Sequence, residues 1–439
     1  MATAPKSVTI RTYHVGFGDC FLVSFSYGPK TERHILVDFG STGFPKRVPK
    51  SRMMDIAKDI KKRTNGKLHA VVATHRHRDH ISGFATAKGK GTGDVIRSLK
   101  PALVVQPWTE DPKLSPKATG PAGKEKTKTG RKTKNKGMIE KLGAGTFKQI
   151  AALGLMHEVA QQTLAARNLP RDVRREVQFL GESNIQNRSA VDNLATMAKN
   201  SYVFCGKKSG LEKVLPGVKV SVLGPPTLKQ TGTIKKQRSS DPDEFWQFQA
   251  SVARLAASAD GETPMLFPRH VKSHGPAFPV NARWLVYHAR MTRGEQLLQI
   301  VRSLDQEMNN TSVILLFQIG KKKLLFPGDA QIENWQFALQ QKKYRSLLSS
   351  VNLYKVGHHG SRNATPKSLW KLFKNKSEKK ASNRLLSLMS TMEGKHGDVH
   401  SHTEVPRETL VHELQRESDL FTTQQLQGKQ FFHDTVVTF

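Results

Sequence analysis

The chain has 439 residues, 70 Lys and Arg against 36 Asp and Glu, a formal net charge of +34 and only two cysteines. A chain of this length buries roughly three quarters of its unfolded surface, so a core needs no disulfide staples and Cys20 and Cys205 are expected to be a reduced pair. No apolar run approaches the ~18 residues of a membrane span, and the start MATAPKSVTIRTYHV lacks the apolar core of a secretory signal. The expectation is a soluble, cytoplasmic protein whose charge favours a polyanionic partner, nucleic acid before an anionic membrane surface.

In chain order, SVTIRTYHV and CFLVSFSYG are strand-like runs joined by GFGD, and RHILVDFGS is a third strand ending in a turn. MMDIAKDIKKRT has helical spacing, with Met54, Ile56, Ala57 and Ile60 on one side. LHAVVATH is a short apolar strand of the kind buried in layered α/β proteins, and it runs directly into THRHRDHISG. Residues 113–136 then carry nine basic groups against the single acid Glu125. With almost no apolar content, that stretch cannot offset its ordering entropy by burial, and a mobile loop is expected. FKQIAALGLMHEVAQQTLAARN reads as an amphipathic helix, so 108–215 is a basic, partly helical insertion.

Strand character returns at GVKVSVLGPP, followed by a second insertion at 227–282. TSVILLFQIGKKKLLFPGDA is a pair of strands, and a helix starts at Glu333. NLYKVGHHGS is a short strand, PRETLVHELQRE a helix and DTVVTF a closing strand. Two similar batches of strands and helices around a middle insertion predict a single domain over 1–439, an α/β two-sheet sandwich with outer helices.

The chemistry concentrates where strands end. His75, His77, Asp79 and His80 follow a buried strand, on the side where open α/β sheets bind ligands. Imidazole and carboxylate are the usual donors for zinc and its neighbours, and on a tight loop His75 and His77 can converge on one ion while Asp79 and His80 face a second. Asp329, after LLFPG, and His358 and His359, after YKVG, arrive in the same way. The expected cofactor is two divalent ions, zinc with manganese as the alternative, and Asp79 is the expected catalytic carboxylate. His14, His34, His69, His157 and His412 are assigned to surface or core. His396, His400 and His402 form a reserve cluster in an exposed loop.

These residues bring the chain to a family. His75, His77, Asp79 and His80 match the HxHxDH signature of the metallo-β-lactamase superfamily, which the chain resembles. HVGFGDCFLVSF, ILVDFGS, ATHRHRDHISG, VSVLGPP, NNTSVILLFQIGKKKLLFPGDA and YKVGHHGSRNATP are similar, in order, to the branch holding the hydrolase domain of bacterial competence DNA-uptake channels and its free-standing relatives. The resemblance covers the two ends of the chain, not the middle. It implies an αββα four-layer sandwich, Asp329 bridging two ions, and His358 or His359 completing the second. It also implies that the turn bearing Asp19 borders the metal site. For Asp19 and Asp38, orienting a ligating histidine and simple turn stabilisation are both open. Many members add a further histidine between HxHxDH and the bridging aspartate; here the candidates are His157, His270, His274 and His288, none in a recognisable motif.

Arg76 and Arg78 are expected to project away from the ions toward the phosphates of an anionic substrate. Lys124, Lys126, Lys128, Arg131 and Lys132 extend that surface. Coordination lowers the pKa of water from about 15.7 to about 7. The chain is therefore expected to be a metal-dependent phosphodiesterase or nuclease acting through a metal-bound hydroxide. Two alternatives remain open: a hydrolase of a small ester, lactam or nucleotide signal, and a non-catalytic basic subunit of a larger assembly. From the resemblance, a protein partner and a role in antiviral defence are further expectations.

Overall fold

Alternating burial shapes the first sheet. In β1 (Ser7–Tyr13), β2 (Cys20–Gly28) and β3 (Thr31–Phe39), successive side chains point to opposite faces, and both faces of the central strands are covered. The computed structural model of the chain describes residues 4–114, 187–231 and 308–439, apart from 364, 398, 400–402 and 429, together with 118, 120 and 121. Most of both expected insertions, the amphipathic helix within the first, and Lys124, Lys126, Lys128, Arg131 and Lys132 lie outside the described residues.

β1, β2 and β3 pair antiparallel, and β3 continues in parallel through β4 (Ala70–Val72), β5 (Leu103–Pro107) and β6 (Lys199–Val203). The C-terminal β13 (Phe432–Thr438) closes the other edge against β1, giving the order β13-β1-β2-β3-β4-β5-β6. The second sheet comprises β7 (Lys219–Gly224), β8 (Ile314–Ile319), β9 (Lys322–Phe326), β10 (Leu353–Lys355), β11 (Leu386–Met389) and β12 (Asp419–Thr422) in the order β12-β11-β10-β9-β8-β7. Both sheets are mixed, and the class is α/β. β6 lies inside the stretch expected to be an insertion, yet it pairs along its whole length with β5, so the end of 108–215 belongs to the sheet.

Three apolar clusters follow from the pleat. One joins inward residues of both sheets, among them Phe21, Val23, Phe25, Val72, Phe317, Phe326 and Leu353. Outer residues of the first sheet, such as Leu22, Leu36 and Val71, pack on α1 (Arg52–Arg63), α3 (Thr92–Ser98) and α4 (Arg188–Thr196). Between α1 and α3 in sequence, α2 (Arg78–Ile81) is a single turn; the short α5 spans Leu211–Val214. Outer residues of the second sheet pack on α6 (Ile332–Gln340), α7 (Lys342–Leu348), α8 (Lys367–Leu372) and α9 (Glu408–Glu417) through Trp335, Leu348, Trp370 and Leu414. In α1 the pattern is reinforced by Asp55 in the first turn and Lys61, Lys62 and Arg63 in the last, matching the helix dipole. No described helix is long and apolar enough to cross a membrane.

This layering brings the carboxyl ends of β3, β4, β9, β10 and β11 to one edge. The amide of Val313, just before β8, donates to the Thr74 carbonyl at 2.9 Å and so ties the two sheets together beneath that edge.

Candidate metal centre

Asp19, Asp38, Thr74–His80, Asp329 and His358–His359 meet at the shared edge. The approach of their loops depends on small residues. A Cβ on Gly40 would lie 2.4 Å from the Asp79 carbonyl carbon and the His80 nitrogen, so only glycine lets the end of β3 pack against α2. Gly328 turns with φ +57°, and a Cβ there would strike Thr74. Strain gathers here as well: Asp38 (φ 55°), His358 (φ 40°) and His359 (φ 53°) hold left-handed conformations that cost a non-glycine residue of order 1–3 kcal/mol each.

One donor atom from each of Asp79, His80, Asp329 and His359 lies within 4.8 Å of all the others, and all four residues are buried. His80 Nε2 is 3.0 Å from Asp329 Oδ2. His359 Nε2 is 3.2 Å from Asp79 Oδ2 and 3.5 Å from Asp329 Oδ2. The hydrogens follow from the partners on the far side of each ring. His80 Nδ1 lies 2.8 Å from Asp38 Oδ2, and His359 Nδ1 lies 3.0 Å from the Ser390 carbonyl; both oxygens accept, so each Nδ1 donates. Each Nε2 therefore faces carboxylate oxygens across a gap that only a proton or a cation can bridge favourably.

The electrostatics agree. Burial alone would lower the imidazolium pKa of His80, but Asp329 and Asp38 outweigh it and hold the pKa well above the ordinary value. At His359, burial is likewise outweighed, by Asp329, Asp19 and Asp79. Burial favours neutral Asp329, yet His80, His359 and His358 pull its pKa well below the usual range, and Asp79 is lowered in the same manner against its own burial, chiefly by His359. Four carboxylates, Asp19, Asp38, Asp79 and Asp329, and one lysine, Lys355, are buried at this edge. With neutral histidines the site is short of positive charge, and its nitrogen and oxygen donors fit a divalent ion.

Asp38 is hydrogen-bonded to Thr74 and His80. Its Oδ1 accepts the Thr74 amide at 2.7 Å, and Oδ2 accepts both the Thr74 hydroxyl at 2.7 Å and His80 Nδ1–H. Asp19 stands behind the rings, with Oδ2 3.7 Å from His80 Nδ1 and Oδ1 3.7 Å from His359 Nδ1. His75 and His77 face each other, Nε2 to Nδ1, at 3.0 Å, and burial holds His75 neutral. Neither belongs to a group of three close donors among the described residues; besides Asp79, His80, Asp329 and His359, the other such group there is Asp19, Asp38 and His80. His157, His270, His274 and His288 lie outside the described residues.

The two adjacent histidines differ. His359 is fully buried within the donor set, whereas the His358 side chain is 27% exposed with Nε2 4.0 Å from Asp329 Oδ2. Burial pushes the His358 pKa down to about 4. Its Nδ1 is 2.8 Å from Ser361 Oγ, whose hydroxyl donates to Asn363 Oδ1 at 3.1 Å, so His358 Nδ1 donates and its lone pair is on Nε2.

The arginines part company too. Arg76 does not reach outward: its Nε donates to Glu110 Oε2 at 2.8 Å, and a second guanidinium nitrogen bonds the same oxygen. That carboxylate offsets the charge that would repel a cation. Arg78 is exposed. Of the reserve cluster, His396 packs 4.4 Å from the Phe17 ring, which also lies 4.4 Å from His359; His400 and His402 lie outside the described residues. His14, His34, His69 and His412 stand apart from the donor set. Sequence reasoning missed Thr74, Ser390, Glu110 and above all Lys355. A lone lysine between apolar residues in a short buried strand, LYKV, was the available signal for the last. No protein-family model and no curated protein matches the chain.

Proposed function

We propose that the chain is a metal-dependent hydrolase of metallo-β-lactamase type, an αββα four-layer sandwich, that cleaves phosphodiester bonds in nucleic acid. The observation that carries this reading is the set Asp79, His80, Asp329 and His359: four buried donors from three separate loops within 4.8 Å. A divalent ion held there would supply Lewis-acid charge and lower the pKa of a coordinated water toward 7. Asp38 and the Ser390 carbonyl fix the rings so that Nε2 of His80 and of His359 stays turned to the donor set. Asp79 is the least buried of the four donors, which supports an approach of substrate from its side. His358, neutral and on the rim, has Nε2 available to take up a proton. The net charge of +34 supports a polyanionic substrate, and Arg78 is the loop's contribution to phosphate contact.

The test is metal analysis of the purified protein together with cleavage of labelled single- and double-stranded DNA and RNA. Asp329→Asn and His80→Gln should each lose bound metal and cleavage while keeping the wild-type circular dichroism. Full cleavage by both variants would sink the assignment. Turnover of only a small chromogenic ester, insensitive to salt, would move the substrate class away from nucleic acid.

A further inference from the structure

The site contains a charged group that a cation site does not obviously call for. Lys355, the last residue of β10, is 2% exposed. Its ammonium lies against Asp19 Oδ2, donates to the Gly328 carbonyl at 3.3 Å and stands 3.7 Å from Asp329 Oδ1. A buried ammonium beside a cation site is repelled by the cation unless intervening carboxylates absorb its charge. Here they do, and in a directional way.

The two oxygens of Asp329 are divided between two duties. Oδ1 accepts the His358 amide at 3.1 Å and faces Lys355. Oδ2 faces His80 Nε2, His359 Nε2 and His358 Nε2 at 3.0, 3.5 and 4.0 Å. Asp19, on the Nδ1 side of the His80 and His359 rings, meets the same ammonium. Zinc is satisfied by four donors, one oxygen from each carboxylate, whereas manganese and other hard ions favour six, oxygen-rich.

We propose that Lys355 is a positioning residue that restricts Asp329 to ligation through one oxygen and thereby biases the site toward zinc over manganese. This rests on the metal-site reading given above. With Oδ1 engaged, Asp329 offers a single donor, and with Asp79, His80 and His359 the set numbers four. Without the ammonium, Oδ1 keeps only one backbone partner and is released as a second oxygen donor from Asp329. That change favours an ion of higher coordination number.

Metal-free wild type and Lys355→Met are titrated separately with zinc and with manganese against a chromophoric chelator. The zinc-to-manganese affinity ratio should narrow by about tenfold or more in the variant, the size of effect usual for a group that orients a ligand. Because Lys355→Met leaves two buried carboxylates uncompensated, Lys355→Met/Asp19→Asn is measured as well, with circular dichroism to verify folding. X-ray absorption of the zinc-loaded wild type needs no variant: it should give the four protein donors and no more than one coordinated water, five donors at most, at about 2.0–2.2 Å. A ratio unchanged in a folded variant, or a sixth donor in the wild type, overturns the proposal. A wild type that binds neither ion overturns the metal-site reading itself.

Discussion

His358 and His359 differ by one position and in what they touch. The ring of His359 is clamped between the Ser390 carbonyl and two carboxylates, while His358 stands on the rim, bonded to Ser361, with Nε2 4.0 Å from Asp329. His359→Ala should therefore cost more than a hundredfold in metal affinity, and His358→Ala about 10–100-fold, the range of a residue that supports a ligand. Chelator competition on the two metal-free variants gives both numbers, and equal, mild losses would show that neither ring is a ligand. Legibility in the sequence stopped at this pair. Adjacent identical residues carry no local difference; what separates them is the left-handed turn at 358–360, which sends one ring inward and the other to the rim.

Among the elements, β3 and β4 are joined at the end remote from the site by a pair of buried histidines. The His34 amide donates to His69 Nδ1 at 3.1 Å, so His69 must keep that nitrogen unprotonated. His34 Nδ1 lies 2.8 Å from Ser24 Oγ on β2. Burial pushes both pKa values down to about 4, with Arg33 and Lys67 adding to the effect at His69. The unfolded chain titrates these groups near 6.5, so between about pH 6.5 and 4 it binds more protons than the folded chain. Stability is then full above pH 6.5 and falls as the pH drops toward 4, by on the order of 3 kcal/mol for each histidine. Urea midpoints measured across that range should fall steeply for the wild type and less steeply for His69→Gln. An identical pH profile for the two proteins would count against the pair. The elements themselves were unequally legible. β1, β2, β8 and β9 alternate or run apolar and were readable, whereas β6 and β12 are short edge strands with mostly half-exposed residues and leave little pattern. In β11, Ser387 is buried among apolar neighbours and breaks the run.

For the molecule as a whole, charge is the dominant quantity. Nine basic residues between 113 and 136 face one acid, and most of that stretch lies outside the described residues. Lysines in such a segment act as point charges toward phosphates and read no sequence. Deleting it should weaken nucleic-acid binding alike across sequences and flatten the slope of log affinity against log salt, each lost phosphate contact being worth roughly 0.9 in that slope on duplex DNA. Cleavage of a small chromogenic phosphodiester should hardly change, because no residue of the donor set lies in the segment. A salt titration of the intact and deleted proteins measures this, and an unchanged slope would leave the nucleic-acid reading to the metal site alone.

By itself the sequence determined the α/β class, the strands that deliver chemistry and the residue types they deliver, because periodicity and strand-end placement are local properties. Tertiary structure alone decided which donors converge: Asp79 and His359 are 280 positions apart, and their 3.2 Å contact exists only because the two sheets pack with their carboxyl ends on one edge. It also decided that Arg76 answers to Glu110, that Lys355 lies beneath the donors, and that the two oxygens of Asp329 have different work. Each of these depends on ångström distances between loops remote in the chain, and inter-sheet packing sets those distances, not residue spacing.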